Sequence, residues 1–205
     1  MATVDYKLKR IEEAWKSCES CHLSRERTNV VFWRGNYNAK LALIGEAPGQ
    51  DEDREGKPFV GRSGKLLDEL CEKAGIEPWD TFICNVVGCR PPGNRKPVDE
   101  EFEACRGRIV SMLGVVKPKA LLLMGATALK YLAGLDKVTQ WRGKQIKVKL
   151  KWVAETPMEF AAVVTYHPSY LLRAGGREGH LASNQVTSDI REAFGLSQTS
   201  YLEAD

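Results

Sequence analysis

Cysteines are the residues whose type and spacing in this sequence most directly indicate chemistry. Cys18 and Cys21 form a Cys-x2-Cys pair, in which two thiolates can point at one metal ion or cluster, whereas a disulfide across so short a loop would be strained. Cys89 and Cys105 form a second pair with a much wider spacing. We predict a four-cysteine metal site and favour an iron–sulfur cluster over zinc, because zinc ribbons usually have two closely spaced pairs. Buried thiols are the alternative, and we prefer it for the two remaining cysteines, which lie within apolar helix and strand patterns.

Three further polar side chains stand where short apolar segments end. Glu46 is the one carboxylate in the turn Gly45-Glu-Ala-Pro-Gly49, Asn85 interrupts the apolar residues 82–87, and His167 follows the apolar residues 161–166. A carboxamide offers a donor and an acceptor for reading a nucleobase edge, and a histidine can donate a hydrogen bond or act as an acid or base. Each also has a plain structural interpretation, as part of a tight turn or as a hydrogen-bonded side chain of the fold.

The elements that must position these side chains follow from hydrophobic periodicity. Apolar segments bounded by glycine or polar residues predict buried strands at residues 40–45, 82–87, 120–124 and 161–166. Helical spacing and capping signals predict helices at residues 5–17, 63–74, 98–115, 126–133 and 183–194. Residues 145–153 alternate between apolar side chains (Ile146, Val148, Leu150, Trp152) and lysines, which predicts an antiparallel edge strand. Strands that alternate with helices indicate a parallel α/β sheet, whose ligands bind beyond the carboxyl ends of the strands.

The charge of the chain is unevenly distributed. Residues 41–80 contain ten acidic and five basic side chains, whereas residues 81–150 contain thirteen basic and five acidic ones. The basic stretch suits a polyanionic partner, because each neutralised phosphate releases counterions, although a solvated lysine-rich face is an equally good interpretation.

Four motifs in order, together with the cysteines, resemble those of the family 4 (iron–sulfur) uracil-DNA glycosylases. They are Gly45-Glu-Ala-Pro-Gly49, the Gly-x-Pro-Phe-Val-Gly segment that contains Phe59, Asn85-Val-Val-x-Cys-Arg-Pro-Pro-Gly-Asn94 and His167-Pro-Ser-x-Leu-Leu-Arg173. The resemblance spans about residues 5–195. It implies a three-layer α/β/α sandwich with a four-stranded parallel central sheet, and a structural [4Fe-4S] cluster held by Cys18, Cys21, Cys89 and Cys105.

The same resemblance implies an enzyme that flips uracil out of single- or double-stranded DNA and hydrolyses its N-glycosidic bond. Free uracil leaves, and an abasic site remains for base excision repair. Phe59 would stack on the base, Asn85 would read its N3–H and O4 edge, and His167 would bind O2 as the leaving anion forms. The implied uracil contacts are Glu46, Ala47, Pro48, Phe59, Asn85 and His167. The implied DNA contacts are Ser169, Tyr170, Leu171, Leu172 and Arg173, with the residues at 170–172 as a wedge and Arg173 at a phosphate.

Two positions depart from the best-known branch of the superfamily. Its water-positioning aspartate corresponds to Ala47 here, so we expect Glu46 to orient the water, with stabilisation of the ions without a general base as the alternative. Its thymine-excluding tyrosine corresponds to Gly49, so thymine must be excluded by another wall. Glu46 argues against the broad-specificity family 5 enzymes, and the absence of a histidine after the second buried strand argues against the uracil-trapping branch. No lysine lies in the catalytic motifs, so we expect a monofunctional glycosylase; a non-catalytic DNA-binding module and a zinc-stapled domain remain alternatives.

Length and composition indicate one domain over residues 1–205, with an N-terminal helix and cluster cysteines in residues 5–22 and a flexible tail from about residue 196. No segment has the apolar length of a membrane span or of a signal region. We expect a cytoplasmic, nucleoid-associated monomer without a membrane partner.

Overall fold

The computed structural model describes residues 2–151 and 157–199. Its strands are β1 (Trp33–Gly35), β2 (Leu41–Gly45), β3 (Thr81–Asn85), β4 (Ala120–Met124), β5 (Gln145–Leu150) and β6 (Met158–Thr165). They form one mixed sheet in the order β1-β3-β2-β4-β6-β5. The central four strands are parallel, and β1 and β5 pair antiparallel at the two edges. The predicted four-stranded parallel core and antiparallel edge strand are confirmed, and the sheet has β1 in addition.

Helices cover both faces of the sheet. Their bounds are α1 (Val4–Trp15), α2 (Gln50–Glu55), α3 (Arg62–Ala74), α4 (Asp99–Val116), α5 (Gly125–Ala133), α6 (Val138–Trp141), α7 (Pro168–Ala174) and α8 (Gly176–Gln198), with 3-10 turns at His22–Arg25, Pro78–Asp80 and Pro92–Asn94. Along β2, Ala42 and Ile44 pack with α1, α4 and α5, whereas Leu41 and Leu43 pack with α3 and α8. This alternation buries both faces of each central strand, so the predicted three-layer sandwich is confirmed.

Several elements differ from the sequence-based expectations. β1 has three residues and α6 has four, too few to give a periodic signal, and α2 is uniformly polar. The helix expected from residue 183 already begins at Gly176, because Gly175 turns the chain at φ 61° and Ala182 then packs in the core. The tail expected from about residue 196 does not begin there, since α8 continues to Gln198 with Leu196 buried. Trp152 of the predicted alternation lies outside the described residues.

The segment between α1 and β1 is held by backbone hydrogen bonds to its neighbours. The Asp53 carboxylate accepts the backbone N–H groups of Thr28 (2.9 Å) and Asn29 (3.2 Å), and Val31 N–H donates to the Gly88 carbonyl at 2.7 Å. These bonds attach the segment that follows the N-terminal cysteine pair to α2 and to the loop after β3. None of the helices in the described part of the chain has the length and apolar character needed to cross a bilayer.

Candidate active site

A cavity of about 1040 Å³ opens beyond the carboxyl ends of β2, β3, β4 and β6. Gly45 of β2 is paired with Asn85 of β3, and Met124 of β4 with Thr165 of β6, so the residues that follow these strands meet at one edge of the sheet. Predicted residues that line the cavity are Glu46, Ala47, Pro48, Phe59, Asn85, His167, Ser169, Tyr170 and Arg173. The fold therefore brings together motifs separated by more than one hundred residues.

Asn85 has a buried and incompletely paired side chain. It is 2% exposed, and its Oδ1 atom has no hydrogen-bond partner among the described residues. A Cβ atom at Gly45 would lie 2.5 Å from this oxygen and 2.4 Å from Cζ of Phe59, so only glycine leaves room for both side chains. A buried carbonyl oxygen without a donor is costly unless a ligand supplies one.

Phe59 is held in a strained backbone conformation. Its φ is 55°, a region that residues other than glycine rarely adopt, and its ring is 5% exposed. The Glu52 carboxylate fixes the flanking backbone by accepting N–H groups from Gly49 (3.0 Å), Val60 (3.0 Å) and Gly61 (2.8 Å). A Cβ atom at Gly64 of α3 would lie 1.8 Å from the Phe59 carbonyl oxygen, so α3 also supports the loop directly. These contacts fix the position of the ring in the cavity wall.

His167 is held as a neutral hydrogen-bond donor. Its Nδ1 atom accepts the backbone N–H of Ser169 at 3.2 Å and lies 2.9 Å from the Ser169 hydroxyl. An acceptor at Nδ1 assigns the ring proton to Nε2. Burial, together with the nearby charge of Arg173, lowers the pKa of His167 to about 4. The ring centroid lies 5.8 Å from that of Phe59.

The predicted DNA-contacting segment forms α7, and its side chains separate into different surroundings. Leu172 is 39% exposed, whereas Leu171 is 6% exposed and packs in the core. The two leucines differ because α7 is a helix, whose successive side chains point in different directions, and the expected part of Leu171 in a DNA wedge stays a prediction. The Tyr170 hydroxyl donates to Glu178 at 2.8 Å, and Arg173 Nη1 donates to the Ser169 hydroxyl at 3.1 Å.

The four predicted cysteine ligands come from four elements on the α1–α4 side of the sheet. Cys18 follows α1, Cys21 precedes the first 3-10 turn, Cys89 follows β3, and Cys105 lies in α4. Burial raises the pKa of Cys21, and it raises the pKa of Cys89 to about 12. The charge of Cys105 contributes to both shifts. Arg27 Nη1 lies 3.7 Å from Cys89 Sγ, and the Gly88 N–H donates to Cys105 Sγ at 3.3 Å. N–H donors thus point at the sulfur atoms of Cys89 and Cys105.

Comparison with known proteins decides the family. The sequence profile of the uracil DNA glycosylase superfamily matches residues 32–191. The type-4 uracil-DNA glycosylase of Thermotoga maritima is 40% identical over 195 residues, which cover 94% of this chain and 96% of that protein. The type-4 enzyme of Pyrobaculum aerophilum is 36% identical over 96% of this chain and 97% of its own length. The type-4 enzyme of Archaeoglobus fulgidus is also 36% identical, over 76% of this chain and 78% of its own length. This chain belongs to the type-4 uracil-DNA glycosylases. The resemblance inferred from the motifs is confirmed, and with it the assignment as an enzyme that hydrolyses N-glycosyl bonds.

Two residues that support this glycosylase site were missed in the sequence. Thr127 of α5 is 7% exposed, and its hydroxyl donates to Oε2 of Glu46, 81 positions away in the chain. Glu52 is 9% exposed and holds the loop that carries Phe59. Thr127 bonds to a residue distant in sequence and Glu52 bonds to backbone groups, so no local spacing indicates either residue. The only available signal was that Glu52 is a carboxylate inside a glycine-rich segment.

Proposed function

We propose that this chain excises uracil from DNA, and that the unpaired Oδ1 atom of buried Asn85 is the acceptor for the uracil N3–H. This orphaned oxygen is the observation on which the proposal depends most. The Asn85 amide would donate to uracil O4. Cytosine has an acceptor at N3 and a donor at C4, so it would leave both polar atoms of Asn85 unpaired in a buried site, at a cost of about 1–3 kcal/mol for each group.

Phe59 and His167 complete the recognition of the base. The Phe59 ring offers a flat apolar surface on which a flipped pyrimidine can stack. The Nε2–H of neutral His167 would donate to uracil O2. As the C1′–N1 bond breaks, its electron pair moves onto the uracil ring, and this hydrogen bond strengthens because negative charge grows on O2.

Glu46 is the proposed partner of the attacking water. Its Oε2 atom already accepts the Thr127 hydroxyl, which leaves Oε1 to orient water towards C1′ of the sugar. The water oxygen bonds to C1′, one of its protons passes to a base or to solvent, and the uracil anion is released and protonated. The products are free uracil and an abasic site.

DNA would reach the site across α7. Exposed Leu172 would fill the space that the flipped base leaves, and Arg173 at the cavity rim would meet a phosphate. Ser169 would act mainly by holding His167, because both of its polar groups contact the imidazole. The monomeric state and a cytoplasmic, nucleoid-associated location belong to the same proposal.

Cys18, Cys21, Cys89 and Cys105 would hold a [4Fe-4S] cluster. Among the described residues, no group of three or more His, Cys, Asp or Glu side chains is arranged to hold a single metal ion. The ligands of a cluster bind different irons and therefore stand farther apart than those of one zinc ion. N–H groups and two arginines directed at the sulfur atoms suit an anionic group. When bound, the cluster would supply a covalent brace and negative charge rather than a reacting atom.

A uracil-containing oligonucleotide tests the proposal directly. We expect alkali to cleave the treated strand only at the uracil, free uracil to appear in equal amount, and a matched thymine oligonucleotide to stay intact. Absence of cleavage by protein that contains iron and acid-labile sulfide would refute the enzyme assignment. Protein that carries zinc and no sulfide would refute the cluster while leaving the glycosylase proposal standing.

A further inference from the structure

Arg108 of α4 is a fully buried cation whose charge the glycosylase chemistry does not use. It is 0% exposed and is the largest fully buried side chain in the described ranges. Its Nε atom donates to Cys105 Sγ at 3.3 Å, and its Nη2 atom donates to the carbonyls of Asn85 (2.7 Å) and Val86 (3.3 Å). Nη1 donates to the Val31 carbonyl at 3.4 Å. One guanidinium thus joins a predicted cluster ligand to the backbone of the predicted base-reading residue.

The guanidinium of Arg108 forms no ion pair with a carboxylate of the described residues. The hydrogen bonds that its guanidinium makes to described residues end on backbone carbonyls or on sulfur, and none ends on a carboxylate. A buried charge without an opposite charge is strongly unfavourable. Cys105 is the one contacted group that can become anionic, and a thiolate bound to a cluster is anionic at any pH at which the cluster stays bound.

The turn after β3 is built around this side chain. A Cβ atom at Gly88 would lie 2.7 Å from Arg108 Nε, so the backbone approaches the guanidinium as closely as glycine permits. Asn85, Gly88 and Cys89 belong to this one segment. A displaced guanidinium would release two carbonyls in it and leave a space in the core beneath Asn85.

We propose that Arg108 is a positioning residue that couples the cysteine cluster to the uracil-reading end of β3. When the anionic cluster is bound, its negative charge balances the positive charge of the guanidinium. The guanidinium then holds the Asn85 carbonyl, and thereby keeps the Asn85 side chain in the position that recognises uracil. Without the cluster, the buried cation has no counter-charge and this support is lost. The inference rests on the proposed function, since it takes both uracil and the cluster as ligands of this chain.

Three variants on one helix test the coupling. Arg108→Met keeps the length and apolar stem but removes the charge, and Arg108→Lys keeps the charge but removes the planar fork. Arg106→Met is the matched control, because Arg106 lies two positions away on α4, forms its one ion pair within residues 2–151 and 157–199 with Glu103 at 3.6 Å, and does not line the active-site cavity. The measurements are inhibition by free uracil, affinity for DNA that carries a tetrahydrofuran abasic mimic, kcat and KM on a uracil oligonucleotide, iron and sulfide content, and the reduction potential of the cluster.

In Arg108→Met, we expect inhibition by free uracil to weaken roughly 10-fold or more, as for loss of a hydrogen bond from a charged group. Affinity for the abasic mimic, which presents no base to Asn85, should stay near the wild-type value. The reduction potential should fall, because a cation and an N–H···S bond next to the cluster favour its reduced, more negative state. Arg108→Lys should recover part of the potential but little of the uracil affinity, and Arg106→Met should behave as the wild type.

The proposal would be overturned if Arg108→Met kept the wild-type affinity for uracil and the wild-type reduction potential of the cluster. Arg108 would then only fill space in the core. Equal losses of uracil and abasic-DNA affinity would also overturn it, because they indicate general damage. If Arg108→Met fails to fold, Arg108→Lys decides: unchanged uracil inhibition in that variant refutes the coupling. Since the wild type is assayed alongside, a wild type without uracil cleavage identifies failure of the proposed function itself.

Discussion

Thr127→Val tests whether the orientation of Glu46 determines the rate of the reaction. Valine has nearly the shape of threonine, so the buried site on α5 stays filled, but the hydroxyl that donates to Glu46 Oε2 is removed. A hydrogen bond to a charged group contributes about 1.5–3 kcal/mol. If the bond serves to hold the carboxylate in its reactive position, its loss lowers kcat by roughly 10- to 150-fold, at 1.36 kcal/mol for each factor of ten.

The assay is single-turnover cleavage of a uracil oligonucleotide at saturating enzyme, with KM and affinity for abasic DNA measured in parallel. We expect kcat to fall and KM to change little, because Glu46 is proposed to act on water rather than on the base. Thr127→Ser retains the hydroxyl and should recover most of the rate. A wild-type kcat in Thr127→Val, or a serine variant as slow as the valine variant, would refute the role assigned to the Thr127 hydroxyl.

Three other predictions follow from the cavity. His167 has a pKa lowered to about 4, so its neutral donor form persists down to about pH 5. Its protonation should therefore lower kcat/KM only as the pH approaches 4. The contribution of His167 to stability should decline below about pH 6.5, because the unfolded chain takes up the proton there before the folded chain does. Gly45→Ala would set a Cβ 2.4 Å from the Phe59 ring and should raise KM for uracil DNA at least 10-fold. Gly195→Ala should not, because its Cβ would meet no described atom outside its own helix within 4 Å. Glu52→Gln replaces one of the two carboxylate oxygens that accept the loop N–H groups and should lower the free energy of unfolding by about 1–3 kcal/mol, measured by urea denaturation.

Each of these outcomes has a counterpart that would contradict it. An acidic limb near pH 6.5 that disappears in His167→Asn would mean that the ring titrates as an exposed histidine. Equal KM values for the two glycine variants would show that the space over Gly45 is not needed. If Glu52→Gln leaves the free energy of unfolding in urea unchanged, the loop that carries Phe59 is held by its contact with α3 alone.

Much of the architecture was predictable from local sequence, for reasons that the structure makes clear. The central strands are buried on both faces, so each is a short continuous apolar run, and α3 carries its apolar stripe and a left-handed Gly75 at its end. The short and polar elements β1, α2 and α6 give no such signal. The burial of Leu171 was not predictable from its motif, because the motif folds into a helix with one buried side.

The sequence by itself indicated which residues are candidates for chemistry and at which strand ends they stand. The tertiary structure decided what surrounds them: the unpaired oxygen of Asn85, the Nε2–H form of His167, the attachment of Glu46 to Thr127, and the guanidinium of Arg108 between a cysteine and β3. The physical reason is that local propensity depends on near neighbours, whereas the hydrogen-bond partners of a buried polar group come from wherever packing brings a donor or acceptor within about 3 Å. Those partners, many positions away in the chain, set the charge and direction of each functional group.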